Sequence, residues 1–127
     1  MIPARRINVA IVDDDAAVRA ALRRLCEAFG WRAIAYASGR EFLDSLAEES
    51  PDCVLLDAQM PGMAGLEVQA GMQERGVLVS TLVLTGSEVG DRDRYLAAGA
   101  LEVLRKPIGD HELQGAVEAA VFGRSSR

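Results

Sequence analysis

The sequence predicts an α/β fold, a single doubly wound five-stranded parallel sheet with five helices. Three observations carry that expectation. Short apolar runs alternate with stretches of helical period along the whole chain. The helical stretches stop at a glycine or at a Ser-Pro turn, as helices that hand over to strands do. The length, 127 residues, suits one domain with a core of its own.

The elements follow in order. Ile7 to Val12 is apolar apart from Asn8 and reads as a buried strand that ends on Asp13-Asp14-Asp15. Val18, Ala21, Leu22, Leu25, Cys26 and Phe29 then keep the i, i+3, i+4, i+7 spacing of one helix face. Gly30 stands where a left-handed cap is expected. Trp31 to Ala37 reads as the second strand. Ser38 and Glu41 form a capping-box spacing ahead of Phe42, Leu43 and Leu46. Asp52 to Asp57 is the third strand, residues 65 to 75 a weaker helix ended by Gly76, and Val77 to Leu84 the fourth strand. Residues 88 to 98 make a charged, poorly amphipathic helix closed by Gly99. Leu101 to Leu104 is a short fifth strand, and Asp110 is expected to cap a last helix with Leu113, Ala116, Val117, Ala120 and Val121 inside.

Composition narrows the function classes. Half the residues are apolar, a quarter charged, and the formal net charge is −5. Binding nucleic acid needs clustered Lys and Arg, whereas here Arg5-Arg6, Arg23-Arg24 and Arg92 with Arg94 are scattered pairs. We therefore expect this domain to bind neither nucleic acid nor a membrane surface. No segment approaches the roughly 18 apolar residues of a membrane span. The amino-terminal apolar stretch is too short for a signal peptide. Cys26 and Cys53 sit at apolar positions without CxxC spacing, which points to reduced, buried thiols and a cytoplasmic compartment.

In an open parallel sheet the ligand site lies beyond the carboxyl ends of the strands, at a topological switch point. Chain order alone brings Asp13 and Asp14, Asp57, Thr85 and Lys106 to that edge, from strands one, three, four and five. Asp57 by itself reads equally as a solvated strand end, and Asp13 to Asp15 as a helix cap. Together they read differently. Clustered carboxylates repel, and a hard divalent cation relieves them. An Asp at such a cation can attack phosphorus and form an acyl phosphate. Lys106 would add an ammonium, Thr85 a hydroxyl, and Gly86 room for close backbone approach.

With "VDDD" after strand one, "LLDAQMPGMAGLE", "TG" after strand four and "KP" after strand five, the chain resembles the receiver domain of two-component response regulators. The resemblance covers essentially its whole length, and the wording is closest to the FixJ-like branch. It implies a flavodoxin-like strand order, 2-1-3-4-5, and a receiver domain over 1–127, with 123–127 a short tail or the start of a linker. It further implies that Asp57 accepts a phosphoryl group. Asp14 and Asp57 would be direct Mg²⁺ (or Mn²⁺) ligands, Gln59 would give its backbone carbonyl, and Asp13 would act through water. Thr85 and Lys106 would contact the phosphoryl group, and Lys106-Pro107 would be cis. Expected partners are a histidine kinase or histidine phosphotransfer protein, and a downstream protein or the chain's own effector domain. A phosphorylation-dependent dimer is also allowed. Such a domain is not an enzyme beyond Mg-dependent self-phosphorylation and self-dephosphorylation.

The chain departs from the family's pattern at several positions. Val103 stands where the family usually carries a strand-five aromatic, and Ile108 where Phe often follows Lys-Pro. Gln59 and Ser87 occupy positions that tune phosphoryl lifetime. His111 reads as a surface or capping residue, and Tyr95 as an exposed aromatic or part of a partner-binding face. Among rivals, a haloacid-dehalogenase-like phosphatase needs a second Asp where Gln59 stands. A flavodoxin-like cofactor protein needs a phosphate loop where three acids stand. For output, a stand-alone receiver is slightly favoured by the end "VFGRSSR" directly after the last helix. The alternative is the amino-terminal receiver of a DNA-binding regulator.

Overall fold

The computed structural model describes residues 6–86 and 91–123. Ten elements alternate: β1 (Asn8–Val12), α1 (Ala16–Ala28), β2 (Arg32–Tyr36), α2 (Gly39–Ser45), β3 (Cys53–Asp57), α3 (Gly65–Glu74), β4 (Ser80–Thr85), α4 (Arg92–Ala97), β5 (Glu102–Arg105) and α5 (Asp110–Phe122). All strand pairs are parallel, in the order β2-β1-β3-β4-β5. The expected fold class and strand order are what the chain adopts.

Because side chains alternate across a strand, each strand feeds two cores. Val9 and Ile11, Cys53 and Leu55, Leu82 and Leu84, and Leu104 face one side, where Cys26 of α1 and Leu113, Ala116, Val117 and Ala120 of α5 cover them. Ala10 and Val12, Val54 and Leu56, Val83, and Val103 face the other, under Phe42 and Leu43 of α2, Val68 and Met72 of α3, and Tyr95 of α4. Helices on both faces explain why Cys53 to Asp57 is buried at every residue. Both cysteines are free and buried, and burial pushes each thiol up to about 12.

Local signals account for the element ends. Asp15 caps α1, its carboxylate accepting from the N–H groups of Ala17 (2.8 Å) and Val18 (3.3 Å). Gly30 follows the helix with φ 87°, a left-handed conformation that glycine adopts without a Cβ penalty. Ser38 Oγ accepts from Glu41 N–H at the start of α2.

Several expected boundaries move. The fourth strand begins at Ser80 rather than Val77, leaving Leu78 99% exposed. Pairing decides this, since Ser80 is the partner of Cys53, where β3 itself begins. Helix α5 is entered through Gly109, with Asp110 its first residue and no side-chain cap bond. Its carboxylate therefore serves the helix dipole instead of the cap. Helix α4 is six residues long, and positions 88 to 90 of the expected helix lie outside the described residues. So do Ser87 and residues 124 to 127 of the expected tail.

Candidate functional site

The chain leaves β1 for β2 on one side and returns to β3 on the other, so the switch point lies between β1 and β3. Asp13 follows the last residue of β1, and Asp57 is the last residue of β3. Side-chain oxygens of Asp13, Asp14 and Asp57 all come within 4.8 Å of one another. Asp13 and Asp57 are 1% and 5% exposed, while Asp14 is exposed. The cluster thus has a dry floor and a wet lip.

Lys106 reaches this floor from the end of β5. Its ammonium lies 3.0 Å from Asp13 Oδ2 and 3.3 Å from Asp57 Oδ1, with its side chain 26% exposed. Its backbone N–H donates to Thr85 O at 2.8 Å, which fixes the β5 exit against the end of β4. The Lys106-Pro107 bond is cis, as the resemblance implies. Thr85 is 5% exposed, one residue beyond Leu84, the register partner of Asp57.

Backbone N–H groups and the Arg19 guanidinium complete the first ring around the acids. Asp13 Oδ1 accepts from Asp15 N–H at 2.9 Å, and Arg19 Nη1 donates to Asp13 O at 2.8 Å. Asp57 Oδ1 accepts from Gln59 N–H at 3.2 Å, in the turn that starts the β3–α3 loop. Gln59 itself is exposed. That loop is pinned by Ala58 N–H to Leu84 O (2.8 Å) and by Gly65 N–H to Ala58 O (3.1 Å). A Cβ on Gly65 would lie 3.2 Å from both Ala58 Cα and Asp57 O, so glycine lets α3 start tightly against the Asp57 backbone.

These surroundings set the electrostatics. Burial raises the Asp57 carboxyl above its ordinary value; the Gln59 N–H opposes this, Asp13 adds to it, and Lys106 opposes it. Lys106 is pulled down by burial, but its contacts with Asp13 and Asp57 outweigh that and raise it. An ammonium remains locked to two carboxylates. The donor set is all oxygen, from three carboxylates crowded on one edge, which fits a hard cation such as Mg²⁺ or Mn²⁺ and would suit softer metals poorly.

Six residues expected at the site therefore share one edge: Asp13, Asp14, Asp57, Gln59, Thr85 and Lys106. His111 lies exposed in the first turn of α5 and takes no part. Of the two expectations for Tyr95, that of an exposed aromatic is overturned. The residue is 7% exposed and packs in the core with Val103, because α4 turns it toward the sheet. Gln69 went unnoticed in the sequence. It is 2% exposed and donates from Nε2 to Tyr95 O at 3.1 Å. Its signal was a polar residue between Val68 and Met72 on the inner stripe of α3.

Known proteins are similar to this chain over most of its length. A family model described as the response regulator receiver domain matches residues 9–118. Response regulator MprA of Mycolicibacterium vanbaalenii is 40% identical over 114 residues, covering 89% of this chain and 49% of that protein. Transcriptional regulatory protein FixJ of Azorhizobium caulinodans is 34% identical over 121 residues, covering 94% and 57%. The chain spans about half the length of the curated relatives it matches. A crystal structure of a response regulator receiver protein from Burkholderia phymatum superposes with a TM-score of 0.83 at 43% identity, covering 91% of this chain and 95% of that one.

Proposed function

The chain belongs to the response regulator receiver family of two-component signalling, and from that premise we propose that it accepts a phosphoryl group on Asp57. The observation that carries the proposal is the Lys106 ammonium shared between Asp13 and Asp57, beside the exposed Asp14. A lysine held at this spot by two carboxylates meets the need of phosphoryl transfer for a fixed positive charge.

In this reading Asp14, Asp57 and the Gln59 carbonyl would hold Mg²⁺ or Mn²⁺, with Asp13 acting through water. The cation, when bound, neutralises charge on the transferring oxygens. The rest falls to the chain's own groups. Asp57 Oδ1 takes the hydrogen bonds from Lys106 and Gln59, so Oδ2 is the oxygen offered to phosphorus. A bond from Oδ2 to phosphorus forms as the phosphorus–nitrogen bond of a phosphohistidine donor breaks, and the freed imidazole nitrogen leaves with the bonding electron pair and takes up a proton from solvent. Lys106 then turns from Asp57 to a phosphoryl oxygen while its contact with Asp13 limits how far it moves. Thr85, at the neighbouring strand end, supplies the hydroxyl. Later attack of water on phosphorus returns the carboxylate and inorganic phosphate, so the domain turns over only its own modification.

The donor would be a histidine kinase or a histidine phosphotransfer protein in the cytoplasm, and the receiver of the signal a downstream protein or an effector domain. No helix among the described residues is long and apolar enough to cross a membrane. The test uses Mg²⁺ with acetyl phosphate. Intact-mass measurement should find one added phosphoryl group on the wild type and none on Asp57→Asn. Equal modification of both would overturn the assignment.

A further inference from the structure

Strand alternation sends the side chains of Asp13 and Asp57 to the face of Ile11 and Leu55, the face that α1 and α5 cover. Lys106, two residues after Leu104, joins them there. That face is incompletely closed. Helix α1 fully buries only Cys26 of its thirteen residues, and Val18, Leu22 and Leu25 of its apolar stripe stay half-buried. Between this stripe and the turn from β5 to α5 runs a groove of about 760 Å³, with Leu84 of the sheet beneath it and Pro107 and Ile108 on its far wall. Lys106 lines it too, so one side chain borders both the groove and the acid cluster.

The lining has two chemical parts. Most of it is alkyl side chain, against which an apolar chain would leave water favourably. Its charged members are Arg24, Lys106 and Asp110, two cations to one anion, and Lys106 stands at the end that meets the acids. An occupant that uses both parts is an anion with an alkyl tail, its anionic end at Lys106. Ile108 stands where the family often carries the larger Phe, a side chain that would take up more of this space.

We propose that the groove receives the alkyl tail of an acyl phosphate, so that this chain takes phosphoryl groups from medium-chain acyl phosphates faster than from acetyl phosphate. The inference rests on the reading that Asp57 is the phosphoryl acceptor and names a donor class for that same site. In the step, an Asp57 oxygen bonds to phosphorus as the bond from phosphorus to the acyl oxygen breaks. The acyl carboxylate leaves with the bonding electron pair, and the step needs neither proton nor oxidant. Acetic, butyric and hexanoic acids are of similar acidity, so leaving ability stays level and chain length changes only what the groove holds. Each buried CH₂ should multiply the rate at low donor concentration by about two to four.

The test times modification of the whole chain by intact-mass measurement, with Mg²⁺ and equal low concentrations of acetyl, butyryl or hexanoyl phosphate. The wild type should react about ten-fold faster or more with hexanoyl than with acetyl phosphate. Ala21 lines the groove from an exposed position, and Ala21→Glu sets a carboxylate on its wall. This variant should keep the wild-type rate with acetyl phosphate and lose most of the hexanoyl gain. A second signal needs no transfer. Hexylphosphonate should shift the methyl resonances of Leu22, Leu25 and Ile108, and methylphosphonate should leave them in place. Equal rates across chain lengths in the wild type, an undiminished gain in Ala21→Glu, or hexylphosphonate shifts confined to other residues would each overturn the role of the groove. Failure of all three donors to modify the wild type would instead overturn the acceptor reading, and this inference with it.

Discussion

Asp57 is held by opposing forces whose balance can be measured. Burial and the nearby Asp13 disfavour its charge, while the Gln59 N–H and Lys106 favour it, and the net effect is a raised carboxyl. A carboxylic acid with a raised folded pKa binds its proton more tightly in the folded state. Stability therefore falls as pH climbs from the ordinary value, 3.8, through the raised one, and stays lower above it. In metal-free buffer Asp57→Asn should accordingly be more stable than the wild type at neutral pH. The advantage should shrink as pH falls toward 3.8, which urea melts across pH would reveal. A variant less stable at neutral pH would mean that the Lys106 contact outweighs desolvation. At this scale the acids and Lys106 were legible because chain order alone puts them at strand ends. Tyr95 was not. Its helix is six residues, half of them charged (Arg92, Asp93 and Arg94), and too short to display an apolar period. Only the contact with Val103 and the Gln69 bond reveal which way it points.

Among the elements, α3 matters most to the site because its first residue touches the Asp57 backbone. Gly65→Ala would push a methyl group to 3.2 Å from Ala58 Cα and Asp57 O, and backbone atoms at a strand end cannot turn aside as a side chain can. We expect a loss of about 1–2 kcal/mol and weaker Mg²⁺ binding. Gly115, inside α5, offers the control. Nothing lies within 4 Å of a Cβ there, so Gly115→Ala should stabilise by roughly 0.5–1 kcal/mol and leave Mg²⁺ binding alone. Denaturation and calorimetric Mg²⁺ titration of both variants would separate crowding from helix propensity; equal behaviour would refute the close-approach argument. The elements were readable from sequence as types but less so as ranges. Val77 to Val79 is as apolar and β-branched as a strand, yet it lies before the point where β3 offers a partner. Pairing is non-local, and a run of residues carries no sign of where its neighbour begins. The α5 entry shows the same limit, since Gly109 and Asp110 are both acceptable caps in sequence.

For the whole molecule, the doubly wound sheet turns chain order into a site. Reversal between β1 and β3 opens the crevice, two helical layers dry its floor, and the strand ends deliver Asp13, Asp14, Asp57, Thr85 and Lys106 to one edge. Family membership, strand order and the cis Lys106-Pro107 bond were all legible in four short motifs. The direction of signal output was not, because it depends on surfaces and partners rather than on the edge. The chain matches about half the length of these curated relatives. The claim on which the account turns is narrower, that one carboxylate of the three is the acceptor. Borohydride reduces an aspartyl phosphate to homoserine, and peptide mass spectrometry locates the new residue. After treatment with Mg²⁺ and acetyl phosphate, homoserine should be found at position 57 alone. Homoserine at position 13 or 14, or none in a chain shown to be phosphorylated, would contradict the account.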